Sequence, residues 1–130
     1  MTGYLTAFAI FATVDFGWLV IMGPRLFKPT LGDILLSDVK LAPAVLFYGL
    51  YPIGLMLFAV VPATRGGGAL AALGLGAGFG FFAYMTYDLT NHATLRNWTA
   101  TLAAVDVGWG TVLSGITALA AWWTMTRFDA

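Results

Sequence analysis

One stretch of the chain sets an acid, an amide and the only histidine into an otherwise apolar run. Residues 84–95 read YMTYDLTNHATL, and their polar side chains recur at helical spacing as Tyr84, Tyr87, Asp88, Asn91 and His92. On a helix this spacing forms one continuous stripe. Phenol, carboxyl, amide and imidazole groups on one face can bind a polar ligand or transfer protons. A stripe of this kind in lipid needs polar partners.

Two further segments each place an aspartate within an apolar run. Residues 12–18 read ATVDFGW and residues 103–109 read AAVDVGW, so Asp15 and Asp106 are each followed three residues later by Trp18 and Trp109. That spacing puts each tryptophan on the same helical face as its aspartate. In antiparallel helices the two motifs point in opposite directions, either as a pseudo-two-fold repeat in the membrane plane or by convergence.

The composition indicates an integral membrane protein. Of 130 residues, 60% are hydrophobic and 9% are charged, and the mean hydropathy is +0.86, whereas a water-soluble domain carries about 25% charged residues. The net charge of zero leaves no basic stripe for phosphates, which excludes a nucleic-acid partner. The chain has no cysteine, so disulfides, thiolate metal ligands and cysteine nucleophiles are excluded. The sequence requires no cofactor.

Four apolar stretches approach the ~20 residues that cross a ~30 Å hydrocarbon core. They cover about residues 3–23, 41–61, 69–95 and 99–125, and predict an all-α, integral membrane four-helix bundle that forms a single domain over residues 1–130. Residues 30–40, TLGDILLSDVK, alternate apolar and polar groups at helical spacing. They predict a short amphipathic segment on the membrane surface between the first two helices, with an irregular loop as the alternative.

Prolines and glycines indicate how the predicted helices bend and pack. Pro52 removes a backbone hydrogen bond within the second span, so we expect a bend there. Tyr48 and Tyr51 precede it, and they either line a cavity or accompany a simple bend. In the third span, glycines at 74, 76, 78 and 80 predict close helix contacts, within the chain or through the 74–80 face to a homodimer or a larger membrane complex.

The three aspartates are predicted to lie at one depth in the membrane. We call side B the face that carries the connections between spans one and two and between spans three and four, and side A the opposite face. Asp15, Asp88 and Asp106 each lie eight residues from the side B end of their span, which is ~12 Å at 1.5 Å per residue. No basic residue lies inside a span, so we expect at least one aspartate to carry a proton and share it with another.

Two other interpretations of the polar residues stay open. The aspartates, asparagine and tryptophans could serve only to hold the helices together, since helices in lipid lack a hydrophobic drive to associate. Asp88 and His92 have the i, i+4 spacing of a metal pair, with Asp15 and Asp106 as further ligands, although a single histidine makes this the weaker alternative.

The combination of VDFGWL, YMTYDLTNHATL, Arg96-Asn97-Trp98 and VDVGWG resembles the family known as domain of unknown function 2177. The resemblance covers nearly the whole chain. It implies a four-span bacterial membrane protein with no established activity. Matched position by position, it singles out Asp15, Trp18, Tyr87, Asp88, Asn91, Trp98, Asp106 and Trp109.

The leading functional hypothesis is a mid-membrane pocket, reached from side B, that binds or modifies a lipid-like amphiphile. Asp15, Asp88 and Asp106 would handle protons, and the binding residues would be Trp18, Tyr84, Tyr87, Asn91, His92 and Trp109. The alternatives are a proton-coupled transporter working as a dimer and a structural subunit of a larger complex. The sequence does not decide whether the protein is an enzyme.

The location predicted from the sequence is the bacterial cytoplasmic (inner) membrane, as a multi-pass protein surrounded by membrane lipid. Side B carries four basic residues, at 25, 28, 40 and 96, whereas side A carries Arg65 and Arg127. The positive-inside rule weakly favours side B in the cytoplasm, and the sequence leaves the membrane orientation open.

Overall fold

Four long helices make up the structure, a computed structural model that describes residues 1–35 and 40–128. The chain is 92% helical, with no strand among the residues described. Span one is Thr2–Met22, span two Leu41–Arg65, span three Gly68–Thr94 and span four Ala100–Phe128. All four helices are long and apolar enough to cross a membrane. The predicted all-α membrane bundle is confirmed.

Helical backbone continues beyond span one. A π-helical turn at Gly23–Phe27 leads into a short α-helix at Lys28–Leu31 and a 3₁₀ turn at Gly32–Ile34. We call residues 23–35 the cap segment. Leu31 is buried and Asp33 is exposed, as expected of an amphipathic segment at this position. Residues 36–39 of the segment expected from the sequence lie outside the described residues.

Tight turns connect the later spans. Gly67 and Gly68 adopt φ of 88° and 60° between spans two and three, a conformation that glycine reaches without steric cost. Asn97 adopts φ of 70° between spans three and four, where asparagine is among the few other residues that tolerate it. These turns keep consecutive spans antiparallel and adjacent.

Span four is the central helix. Half of its apolar window (50%) is buried, compared with 17% in spans one and three and 22% in span two. It packs against both span one and span three. The approach to span three is close, because a Cβ atom on Gly80 would collide with the Gly110 carbonyl and the Ser114 side chain. Small residues allow such contacts between membrane helices.

The glycines of span three divide between two faces. Gly76 and Gly80 lie against span four, whereas a Cβ atom on Gly74 or Gly78 would have no neighbour within 4 Å. The outward pair borders a shallow apolar groove of about 590 Å³ that Phe58 and Phe82 also line. The packing predicted for residues 74–80 therefore occurs within the chain through one pair, and the other pair stays free of contacts in the single chain.

The two halves of the bundle pack differently. On side A the buried residues form a continuous core of Ala7, Leu55, Ala59, Val60, Ala118 and Ala121. On side B a second cluster joins the cap segment to the start of span four through Leu31, Trp98, Leu102 and Ala103. Span two is α-helical over Leu41–Leu55, contains Pro52, and becomes π-helical over Met56–Val60. Its first part packs mainly on span one, and its later part packs on span three.

Candidate functional site

Asp15 is held by hydrogen bonds from two other helices. Its carboxyl group is 7% exposed. The Tyr48 hydroxyl of span two donates to Oδ2 at 2.7 Å, and the Trp109 indole Nε1 of span four donates to Oδ1 at 3.0 Å. Both carboxyl oxygens therefore have a donor, which is the arrangement that an ionised carboxylate accepts.

The two tryptophans of the paired motifs stack on each other. The Trp18 and Trp109 rings lie 4.3 Å apart between centroids, with 8° between their planes. The stack and the bond to Asp15 fix the orientation of Trp109. The Trp18 indole N–H is buried and has no acceptor among the described residues. The two tryptophans consequently differ in role although their sequence contexts match.

Asp88 and Asp106 form a carboxyl pair between spans three and four. Asp88 is fully buried and Asp106 is 7% exposed. The two carboxyl groups are neighbours at the contact between spans three and four. Neither Asp88 oxygen receives a hydrogen bond from an N–H or O–H group in the described part of the chain. Two neighbouring carboxyl groups can hydrogen-bond to each other only when one of them carries a proton.

A cavity of about 1110 Å³ lies between the side A core and the cap segment. Its polar lining combines two acids, an indole, three phenols and one lysine: Asp15, Trp18, Lys28, Tyr51, Tyr84, Tyr87 and Asp106. The remaining wall is mainly apolar: Leu19, Phe27, Leu31, Leu35, Pro43, Ala44, Phe47 and Ala83. Small-molecule sites commonly combine a large apolar surface with a few polar groups in this way.

The cavity opens sideways between spans two and three. Phe47 on span two and Tyr87 on span three both line it, and they are 42% and 54% exposed. The gap exists because the first part of span two packs mainly on span one.

The cap segment is tied to the turn between spans three and four. The Asn97 side-chain Nδ2 donates to the Leu31 carbonyl at 2.9 Å and to Asp33 Oδ1 at 3.2 Å. Next to this clasp, Trp98 packs with Leu31. The His92 ring Nδ1 lies 2.9 Å from the Trp98 carbonyl oxygen. These contacts hold the cap across the side B end of the cavity.

The structure divides the residues expected at the site into three groups. Asp15, Trp18, Tyr84, Tyr87 and Asp106 line the cavity. Asp88 and Trp109 lie directly behind them, in contact with Asp106 and Asp15 respectively. Neither Asn91 nor His92 is among the lining residues. His92 is exposed and contacts the turn at Trp98.

Three cavity or support residues were not among the site residues expected from the sequence. Tyr48 donates to Asp15, Tyr51 lines the cavity and hydrogen-bonds Ser114 at 2.8 Å, and Lys28 lines it from the cap segment. For Tyr48 and Tyr51, the signal in the sequence was their position just before Pro52. Lys28 lies just beyond span one, where a basic residue is typical of an interfacial anchor.

The described residues contain no group of three or more His, Cys, Asp or Glu side chains that could hold a metal ion. The metal alternative needed Asp88 and His92 together with further acids. In the structure Asp88 faces Asp106, and His92 faces the Trp98 carbonyl. Asp15 and His92 instead take part in hydrogen bonds with other helices or turns.

Comparison with known proteins identifies the family. The family model DUF2177, described as a predicted membrane protein, matches residues 1–123. The chain belongs to this family, as the sequence motifs indicated. Searches of curated proteins and of solved structures found no match.

Proposed function

We propose that this member of the DUF2177 family binds a lipid-like amphiphile in the cavity between its spans, with proton exchange at the buried aspartates. The observation that carries the proposal is the cavity itself. It joins a largely apolar wall, open toward lipid between Phe47 and Tyr87, to the carboxyl groups of Asp15 and Asp106. An amphiphile has the matching division into a chain and a polar head.

The Asp88–Asp106 pair gives the site a mobile proton. Asp106 lines the cavity and Asp88 lies behind it. The pair can pass its proton to a basic group of the ligand and recover one afterwards, because Asp106 has access to the ligand while Asp88 stabilises either state. We place this chemistry in the bacterial inner membrane, with side B toward the cytoplasm.

Photo-crosslinking tests whether an amphiphile occupies the cavity. The protein in nanodiscs is irradiated with a long-chain alcohol that carries a diazirine on its chain, and the labelled residues are mapped by mass spectrometry. We expect labels concentrated on Leu19, Phe47 and Ala83, compared with the lipid-facing Leu5 and Leu70.

Two substitutions on one helix make this test specific. Ala44→Phe adds bulk to the cavity wall and should reduce the cavity labels, whereas Ala42→Phe adds the same bulk at an exposed position outside the lining. Labelling spread evenly over all lipid-facing residues, and unchanged by Ala44→Phe, would refute occupancy of the cavity.

A second candidate function is proton-coupled transport by a dimer. The outward Gly74 and Gly78, with the groove beside them, favour it because small residues let a second helix approach closely. Enzyme and transporter differ in a simple assay. Chemical conversion of a ligand persists in detergent, whereas transport requires sealed vesicles.

A further inference from the structure

The acidic residues that line the cavity are not matched by basic residues inside the spans. Asp15 has the two donors expected of an ionised carboxylate. Asp106 lines the same cavity and lies beside Asp88. All six basic residues of the chain lie at span ends or in connections. The acids therefore have no basic partner at their own depth.

A second observation is that one buried acid of this layer lacks hydrogen-bond donors. Asp88 is fully buried, and neither of its oxygens receives a donor from the residues described. Buried charges in proteins are normally paired, because an isolated ionised group in a medium of low dielectric constant is costly. The layer thus calls for a positive group that the chain does not supply.

The geometry points to an amphiphile with a positively charged amino head group, held between Asp15 and Asp106, whose apolar chain leaves between Phe47 and Tyr87. This inference rests on the proposed function and specifies its ligand. A metal ion does not fit as the positive group, since the described acids form no three-ligand set and the cavity of about 1110 Å³ is far larger than an ion. An ammonium group donates three hydrogen bonds, which suits a site rich in acceptors.

Lys28 on the cap segment suggests a competing ligand, namely an amphiphile with an anionic head group. Lys28 also lines the cavity, but it is exposed and belongs to the side B rim. An anionic head group, such as a carboxylate, would bind there and would face repulsion from the acids deeper in the cavity. The two head-group charges therefore depend on different residues.

Competition among three ligands of equal chain length tests the inference. Dodecylamine, dodecanol and dodecanoate are each titrated against the photoreactive alcohol in nanodiscs of zwitterionic lipid, and concentrations are expressed per lipid to correct for partitioning. We expect the amine to displace the cavity label at a concentration about tenfold below that of the alcohol, because charge-assisted hydrogen bonds are roughly twice as strong as neutral ones. The acid should be the weakest competitor.

Variants assign the selectivity to residues. Asp106→Asn should remove most of the amine's advantage over the alcohol. Asp33→Asn is the matched control, since it removes an equal charge from an exposed position outside the cavity lining and keeps an oxygen to accept from Asn97. Lys28→Gln should leave amine competition intact.

The outcomes separate this inference from the proposed function. If the alcohol or the acid competes as well as the amine in the unsubstituted protein, the amino head group is wrong while occupancy by an amphiphile stands. If none of the three displaces the label, both are wrong. The comparison uses the unsubstituted protein, so it remains decisive even if Asp106→Asn fails to fold.

Discussion

The two tryptophans that follow the aspartates are equivalent in sequence but not in the structure. Trp109 donates to Asp15, while the Trp18 N–H has no acceptor among the residues described. Trp109→Phe should therefore lower stability by about 1.5–3 kcal/mol, the usual contribution of a hydrogen bond to a charged group. Trp18→Phe removes no hydrogen bond and should cost less. Thermal unfolding in detergent measures both effects.

Trp122→Phe provides the control for these two substitutions. Trp122 also has a buried N–H without an acceptor in the described part of the chain, but it packs against the side A core, away from the cavity. It should behave like Trp18→Phe in stability. Equal losses for Trp109→Phe and Trp122→Phe would show that the bond to Asp15 contributes nothing measurable.

Asp88→Asn separates a proton-handling role from a structural one. The amide keeps the shape of the side chain and can still donate to Asp106, but it cannot release a proton. We expect thermal stability to stay the same or to rise slightly, because one buried ionisable group is removed. Activity, measured by complementation of a deletion strain, should be lost.

The contrary result for Asp88→Asn is equally clear. Full complementation together with unchanged stability would leave Asp88 as a contact between helices only. Asp33→Asn is again the matched control, because it makes the same chemical change at an exposed acid. That variant should complement fully.

The sequence predicts a common depth for the three aspartates but does not predict their partners. Counting residues from the span ends placed Asp15, Asp88 and Asp106 in one layer. The pairing of Asp88 with Asp106, and of Asp15 with Tyr48, depends on how each helix is rotated about its axis. Nearly every residue of these spans is apolar, so the hydrophobic pattern does not define a buried face.

The position of the cap segment depends on one residue in the turn between spans three and four. Asn97 holds a left-handed backbone conformation at φ 70° and donates to Leu31 and Asp33. Asn97→Gly keeps the backbone conformation and removes the clasp. Asn97→Ala removes the clasp and also introduces backbone strain of roughly 1–2 kcal/mol.

Both Asn97 variants should free the cap segment. Amide hydrogen exchange over residues 28–34 should accelerate by about fivefold, corresponding to the loss of about 1 kcal/mol of hydrogen bonding. Only Asn97→Ala should also lower the melting temperature appreciably. Asn91→Ala, in the neighbouring span, is the control and should leave the exchange of the cap unchanged. Unaltered exchange in Asn97→Gly would show that packing of Leu31 against Trp98 suffices to hold the cap.

The elements themselves followed from the sequence because length and composition determine membrane spans. The predicted spans agree with the helices to within a few residues, and the long apolar runs leave helix as the structure that satisfies the backbone in lipid. The cap segment was harder to predict. Its π-helical, α-helical and 3₁₀ turns reflect packing of Leu31 and Trp98, residues that are 67 positions apart in the sequence.

The four-helix bundle combines a tightly packed half on side A with a half that contains the cavity toward side B. The side A core includes small residues such as Ala7, Ala59 and Ala118, which let the helices converge. Toward side B, residues of all four spans and of the cap segment surround the cavity. Pro52 lies where span two changes neighbours, from span one to span three.

A second copy is expected at the outward glycines. Gly74 and Gly78 lie four residues apart, and a Cβ atom on either would meet no described residue of another helix within 4 Å; a groove lined by Phe58, Phe82 and Thr86 lies beside them. Self-association there would bring two copies of span three together, and their close approach would be stabilised by van der Waals contacts. Gly78→Leu should lower the association constant of the dimer by about tenfold or more, which corresponds to a loss of at least about 1.4 kcal/mol of binding free energy.

Energy transfer between labelled chains in lipid bilayers, measured over a range of protein-to-lipid ratios, determines that constant. Gly108→Leu is the matched control, because Gly108 also faces outward with no neighbour within 4 Å, but from span four. The control should dimerise like the unsubstituted protein. If the unsubstituted protein stays monomeric throughout, or if both variants dimerise equally well, lipid and not a second chain covers the groove. The dimeric transporter would then lose its structural basis, whereas the amphiphile site within one chain would be unaffected.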